Sequence, residues 1–119
     1  MTSNEWYNKG IALQELKRYG EALDAFDKAL EISPDNAKIL FSKGIALKNL
    51  MKYEEALQTF DRSLEINPAD ARVWCFKAEI LLGLMQYEES LDSFYNAATL
   101  APEDPEVWYR RGMALREMR

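Results

Sequence analysis

The sequence predicts an all-α protein built from stacked helix pairs, and three observations carry that prediction: a 34-residue internal repeat, apolar residues at helical spacing in each copy, and cap and proline signals at matching places. Residues 3–36 align on 37–70, then on 71–104, then on 105–119 without a gap. Between the first two copies 16 of 34 positions are identical, among them Lys9-Gly10-Ile11-Ala12-Leu13 against Lys43-Gly44-Ile45-Ala46-Leu47. The last copy holds a first helix alone, so the expected architecture over residues 1–119 is one domain of three helix pairs and a C-terminal capping helix.

Each element has its own signal. Thr2 with Glu5 can form a capping box ahead of the first helix. Asn36, Asp70 and Asp104 precede the first helices of the later copies, and Pro105 suits a first helical position. The second helices are expected from Glu21, Glu55 and Glu89 to Ile32, Ile66 and Leu100, where Pro34, Pro68 and Pro102 disfavour continuation. Gly10, Gly44, Ala78 and Gly112 recur on the first helix as notches that admit a neighbouring backbone. Small residues recur on the second helix at Ala22, Ala56 and Ser90 and at Ala29, Ser63 and Ala97. Bulky residues at Phe26, Phe60 and Phe94 and at Leu13, Leu47, Leu81 and Leu115 are the expected knobs. Trp6, Trp74 and Trp108 recur in phase with Leu40, which marks them as packing residues rather than ligand-stacking ones. At the end of the chain, Val107, Ala114 and Met118 are expected to lack a following partner, with Arg110, Arg111, Arg116 and Arg119 solvating the helix.

Composition narrows the function classes. Hydrophobic residues at 48% and charged residues at 29% are the balance of a folded domain. A net charge of -5 disfavours nucleic acid and anionic membrane surfaces as partners. Met1 is followed by the polar run Thr2-Ser3-Asn4-Glu5, unlike an export signal, so a cytoplasmic location is expected. The longest apolar stretch, Ile80 to Met85, is far short of a membrane span. The chain has no histidine, which removes the base of a Ser-His-Asp triad or a Cys-His pair. Cys75 is the single cysteine and reads as an apolar filler. The carboxylate pairs Glu54-Glu55 and Glu88-Glu89 suit helix starts, and no glycine-rich phosphate loop is present. No enzyme activity, cofactor or metal is therefore expected.

The spaced residues Trp6, Gly10, Leu13, Tyr19, Ala22, Phe26, Ala29 and Pro34, matched again in the later copies, resemble the tetratricopeptide repeat family over essentially the whole chain. One departure is regular: Lys9, Lys43, Lys77 and Arg111 stand where the family usually has leucine. The resemblance implies a right-handed α-α superhelix, a tetratricopeptide solenoid whose concave side is lined mainly by the first helix of each copy. It implies a partner-binding groove holding Tyr7, Ile11, Lys38, Phe41, Ile45 and Lys48, followed by Arg72, Phe76, Leu82, Tyr109 and Met113. Neighbouring inward positions would include Gln14, Ser42, Cys75, Glu79, Glu106 and Arg110.

The apolar members of that set form a stripe suited to an amphipathic helix or an extended peptide. The expected function is thus a protein-protein interaction module with a scaffold or adaptor role, its partner a protein or peptide in the groove. Some family members clamp the acidic C-termini of heat-shock chaperones. The counterparts of that clamp here are Tyr7, Ile11, Ser42, Arg72 and Phe76, of which only Arg72 carries the charge, so no such binding is expected. The copies carry charges of -3, 0, -4 and +2, and the basic last helix supports an alternative, a homo-oligomer or a piece of a longer solenoid joined through its open end. RNA binding through a related helical repeat is disfavoured by the uniform period and the acidic charge.

Overall fold

The computed structural model describes residues 1–118, and seven α-helices run through them. They are α1 (Ser3–Glu15), α2 (Tyr19–Ile32), α3 (Ala37–Asn49), α4 (Tyr53–Ile66), α5 (Ala71–Gly83), α6 (Tyr87–Leu100) and α7 (Pro105–Glu117). Contacts divide the chain into two compact units, Met1–Asn67 with α1 to α4 and Pro68–Arg119 with α5 to α7. Arg119, expected to help solvate the last helix, lies outside the described residues.

In the first unit α1 starts on the expected capping box. The Glu5 amide donates to Thr2 Oγ1 at 3.1 Å and the Thr2 amide to Glu5 Oε1 at 3.1 Å. Asn36 Oδ1 accepts from the Ile39 amide at 3.2 Å and starts α3. Packing within each pair is knob into notch. A β-carbon added to Gly10 would lie 2.5 Å from Phe26 Cε1, and one on Gly44 would lie 2.7 Å from Phe60 Cδ1, so the rings as seated here leave no room for a side chain. Ala22, Phe26 and Ala29 of α2 also meet Ile39 and Ala46 of α3, with Trp6, Tyr7, Ile11 and Leu13 packed around them. Buried polar groups are satisfied across helices: Ser63 Oγ donates to the Ala37 carbonyl at 3.0 Å.

The second unit repeats the scheme with an alanine in the notch. Ala78 of α5, Phe94 of α6 and Ala114 of α7 form one cluster, and Cys75, Ala97, Ala98 and Val107 form another. Ser90 Oγ donates to the Ala78 carbonyl at 2.7 Å. Asp70 and Asp104 cap α5 and α7 as expected, accepting from the Arg72 and Glu106 amides at 3.1 and 2.9 Å. The indole N–H groups of Trp74 and Trp108 donate to the carbonyls of Pro68 and Pro102 at 2.9 and 2.7 Å. Each proline thus both stops a helix and anchors the next one.

Three features depart from the sequence expectation. The second helices begin two residues earlier, at Tyr19, Tyr53 and Tyr87, and their N-caps Arg18, Lys52 and Gln86 make no side-chain cap bond. Each pair turns through a left-handed residue that is not glycine: Lys17, Met51 and Met85 all have φ 62°. The following amide bonds back, as Arg18 to the Leu13 carbonyl at 2.9 Å, which closes a Schellman motif. Finally, Val107 and Ala114 are buried at 2% and 3%, against the expectation that they would lack a partner. They pack onto α5 and α6 residues, and the uncovered face of α7 is instead the one holding Trp108 and Leu115.

The cation that replaces the usual leucine has a repeated placement. Lys9 lies over the Trp6 ring at 5.2 Å, Lys77 over Trp74 at 5.4 Å and Arg111 over Trp108 at 5.5 Å. Lys43 has Leu40 in the tryptophan position and pairs with Asp27 at 2.8 Å.

Candidate partner-binding site

In the first unit α1 and α3 carry six of the candidate residues. Tyr7 tilts against Phe26 with ring centroids 5.9 Å apart, and Lys38 Nζ sits 4.6 Å from the Tyr7 centroid on its outer side. Phe41 repeats the contact on Phe60 at 6.1 Å. Tyr7, Ile11, Phe41, Ile45 and Lys48 are all half-buried, and Lys38 is exposed. The apolar stripe is therefore seated on the second-helix phenylalanines and shows only an edge to solvent. Ser42 is 5% exposed and belongs to the interior, a correction to its expected inward-facing place. Gln14 Oε1 is buried without a hydrogen-bond donor among the described residues.

In the second unit α5 and α7 enclose a cavity of about 450 Å³. Leu82, Tyr109, Met113 and Ala114 give it an apolar floor and wall, while Glu79, Glu106, Glu117 and Arg110 supply the polar rim. Tyr109 is 64% and Met113 40% exposed, so this part of the stripe does face solvent. Leu82 rests on the Ala78, Phe94 and Ala114 cluster.

Arg110 ties the rim together. Its guanidinium donates to Glu79 at 2.6 Å and to Glu106 at 2.8 Å, and lies 4.9 Å from the Phe76 centroid. Partial burial alone would lower the Arg110 pKa, but the hydrogen bonds and charges of Glu79 and Glu106 outweigh it and raise it. Arg110 therefore stays charged with both carboxylates engaged, and three glutamates against one arginine leave the rim net acidic. Arg72 is exposed and its guanidinium bonds Asp70 at 3.3 and 3.4 Å. Cys75 is buried at 3%, a correction to its expected inward-facing place, and burial, aided by Glu79, pushes its thiol up to about 11. It stays protonated and is a filler.

The Glu79-Arg110-Glu106 bridge and Glu117 were not singled out in the sequence as a unit. The four-residue spacing of Glu106 and Arg110 is a helical pairing signal, whereas the contact from Glu79 needs the α5–α7 packing. Among the described residues no group of three His, Cys, Asp or Glu side chains is placed to hold a metal ion, and no helix is long and apolar enough to cross a membrane.

Tetratricopeptide repeat models match residues 3–36, 37–70 and 71–104. The chain belongs to the tetratricopeptide repeat family. Among curated protein sequences none matches it. The solved structures similar to this tetratricopeptide repeat chain include the Arabidopsis OM64 domain of the same family, with a TM-score of 0.91, 18% identity, and coverage of 97% of this chain and 95% of that one. The first such domain of Spaghetti (RPAP3), bound to an HSP90 peptide, gives a TM-score of 0.90 at 17% identity over 97% of this chain and 91% of the other. PcrH in complex with the chaperone binding region of PopD gives 0.84 at 21% identity, covering 97% and 86%. These likenesses establish the all-α tetratricopeptide solenoid fold, and two of the three structures hold a segment of another protein.

Proposed function

We propose that this tetratricopeptide repeat chain is a protein-protein interaction module, an adaptor of the cytoplasm that holds a peptide or helix of a partner on the faces of its first helices. The observation that carries the reading is the open cavity between α5 and α7, where Leu82, Tyr109 and Met113 meet an acidic rim. An apolar side chain flanked by lysine or arginine suits it, since the floor rewards burial and Glu117 and the Arg110-bridged carboxylates favour positive charge. The half-buried edges of Tyr7, Ile11, Phe41 and Ile45, with Lys38 beside them, supply a second apolar contact on the α1–α3 face.

The direct test is selection of peptides from a random library on the full chain, followed by affinity measurement against Tyr109→Ala and Phe41→Ala. Aromatic anchors at such sites contribute ~2 kcal/mol, or about 30-fold in Kd. Selected peptides should carry an apolar residue next to a basic one and lose that affinity on the Tyr109 variant. Unchanged binding to both variants with unchanged helicity, or a purely acidic selected motif, refutes the proposal.

A further inference from the structure

Charge is not spread evenly around the α5–α7 cavity. Helical geometry puts Glu106, Tyr109, Arg110, Met113 and Glu117 within about 100° of arc on one face of α7. All five line the cavity, and α5 contributes Leu82 and Glu79. In the middle Arg110 cancels charge: it bonds Glu79 at 2.6 Å and Glu106 at 2.8 Å, and only 29% of its side chain is exposed. The Glu106 side chain remains 62% exposed. Glu117 is exposed at the last residue of α7 and bonds no side chain among the described residues. At about 1.5 Å per residue, Glu106 and Glu117 stand about 16 Å apart along the axis, and Tyr109 and Met113, about 6 Å from each other, lie between them. Acid, apolar, apolar, acid is thus the order of side chains along the trough.

We infer that this trough selects an extended segment of a partner protein with the pattern basic-x-apolar-x-apolar-x-basic, x being any residue; the inference rests on the peptide-binding role proposed above. Width decides against a helix. A volume of about 450 Å³ spread over about 16 Å leaves a cross-section of about 28 Å², a diameter of about 6 Å, whereas a helix with its side chains needs about 10–12 Å. Spacing then fixes the pattern. In an extended chain alternate side chains share a face and stand about 6.6 Å apart, which matches the interval between Tyr109 and Met113. With two apolar side chains seated there, the residues two positions outside them fall within about 3 Å of the levels of Glu106 and Glu117. A lysine or arginine stem spans that offset and puts its charge on the carboxylate. Arg110 makes the pattern specific: by holding Glu79 it keeps the centre of the trough apolar and confines the excess negative charge to the two ends.

The test uses the full chain and fluorescein-labelled Arg-Ser-Leu-Ser-Leu-Ser-Arg, with binding read by fluorescence anisotropy and amide chemical shifts. The expected result is saturable binding with shifts centred on Leu82, Tyr109 and Met113. The peptide Arg-Arg-Ser-Leu-Ser-Leu-Ser has the same composition and should bind about fivefold more weakly, since one end of the trough loses its cation. Glu117→Lys should weaken the parent peptide about 10-fold, because an attraction becomes a repulsion. That variant keeps its fold, as the side chain is exposed and a cation suits a helix C-terminus. On it, a peptide with one terminal arginine replaced by glutamate should recover the parent affinity. No saturation at millimolar peptide, equal binding of the two arginine arrangements, or failure of both glutamate peptides to recover binding on Glu117→Lys would each overturn the inference. So would tighter binding of a helical peptide with the same residues at helical spacing. If library-selected peptides of another pattern still lose affinity on Tyr109→Ala, the peptide-binding role stands and the basic-flanked extended segment falls.

Discussion

Gly44→Ala tests the packing logic more sharply than any large-to-small change, because it adds a single methyl group. The added carbon would overlap Phe60 Cε1 and lie 2.7 Å from Cδ1 and 2.9 Å from Cζ. Ordinary carbon contacts begin near ~3.5 Å, so the ring must retreat by about 1 Å. Phe60 is 0% exposed, so the ring can retreat only by displacing its neighbours in the interior. Overpacking of this kind costs up to ~3 kcal/mol, and replacing a helical glycine by alanine returns about 1, so a net loss of about 2 kcal/mol is expected. With an unfolding entropy of about 2.1 cal/mol/K per residue, the midpoint should fall by about 8 °C. Gly112→Ala is the matched control: the residue type and helix position are the same, nothing is within 4 Å, and the midpoint should rise by about 4 °C. Thermal unfolding followed by circular dichroism reads both. Pairing Gly44→Ala with Phe60→Leu should recover at least ~1 kcal/mol relative to the two separate losses, since the shorter side chain vacates the contested volume. If Gly44→Ala were as stable as the parent, or Gly112→Ala less stable, the account of the notch would be wrong.

Met51→Gly should raise stability by about 0.5–1 kcal/mol in urea unfolding, because φ 62° costs an L-residue energy and this side chain is 75% exposed. Cys75, with its thiol raised to about 11, should resist alkylation at pH 8 in native protein and react promptly in denaturant, as mass spectrometry will show. The Glu5 carboxyl, bonded by the Thr2 backbone amide and then its hydroxyl, is held below its ordinary 4.5. Its contribution is therefore present above 4.5 and lost as pH falls through the lowered value, and Thr2→Ala should raise amide exchange in the first turn of α1 at neutral pH by more than it does in acid.

Helix pairing was legible because 34 residues return each side chain to the same face, so the notches Gly10 and Gly44 and the knobs Phe26 and Phe60 could be named from spacing, and the structure shows which ring fills which notch. The left-handed turns were not. Glycine is the usual signal for such a residue, and Lys17, Met51 and Met85 give none, while Gly20 sits inside α2. The open face of α7 was misassigned for a related reason. Helical periodicity separates an apolar side from a polar one, but α7 has apolar residues on two sides, and only the packing of Val107 and Ala114 onto α5 and α6 residues shows which is covered. The polar rim of the α5–α7 cavity was half legible: Glu106 and Arg110 share a helix, whereas Glu79 comes from 31 residues away.

The copies themselves separate packing from recognition. Positions held from copy to copy, such as the glycine or alanine notch and the phenylalanine that fills it, are those whose side chains meet a neighbouring helix. Two first-helix registers that vary are Asn4, Lys38, Arg72 and Glu106, all exposed, and Ile11, Ile45, Glu79 and Met113, half-buried or exposed. The same contact within each helix pair imposes the same demand on every copy, so drift at a packing position costs stability wherever it occurs. At these two registers the partner changes with the residue: Ile11 packs on the α2 and α3 cluster, whereas Glu79 and Glu106 bond Arg110. Divergence from a basic residue at Lys38 to an acidic one at Glu106, and from Ile45 to Met113, makes each copy present a different chemistry on a common frame. Tyr109 and Met113, exposed beside a carboxylate rim, are the side chains whose burial the proposed peptide binding would reward.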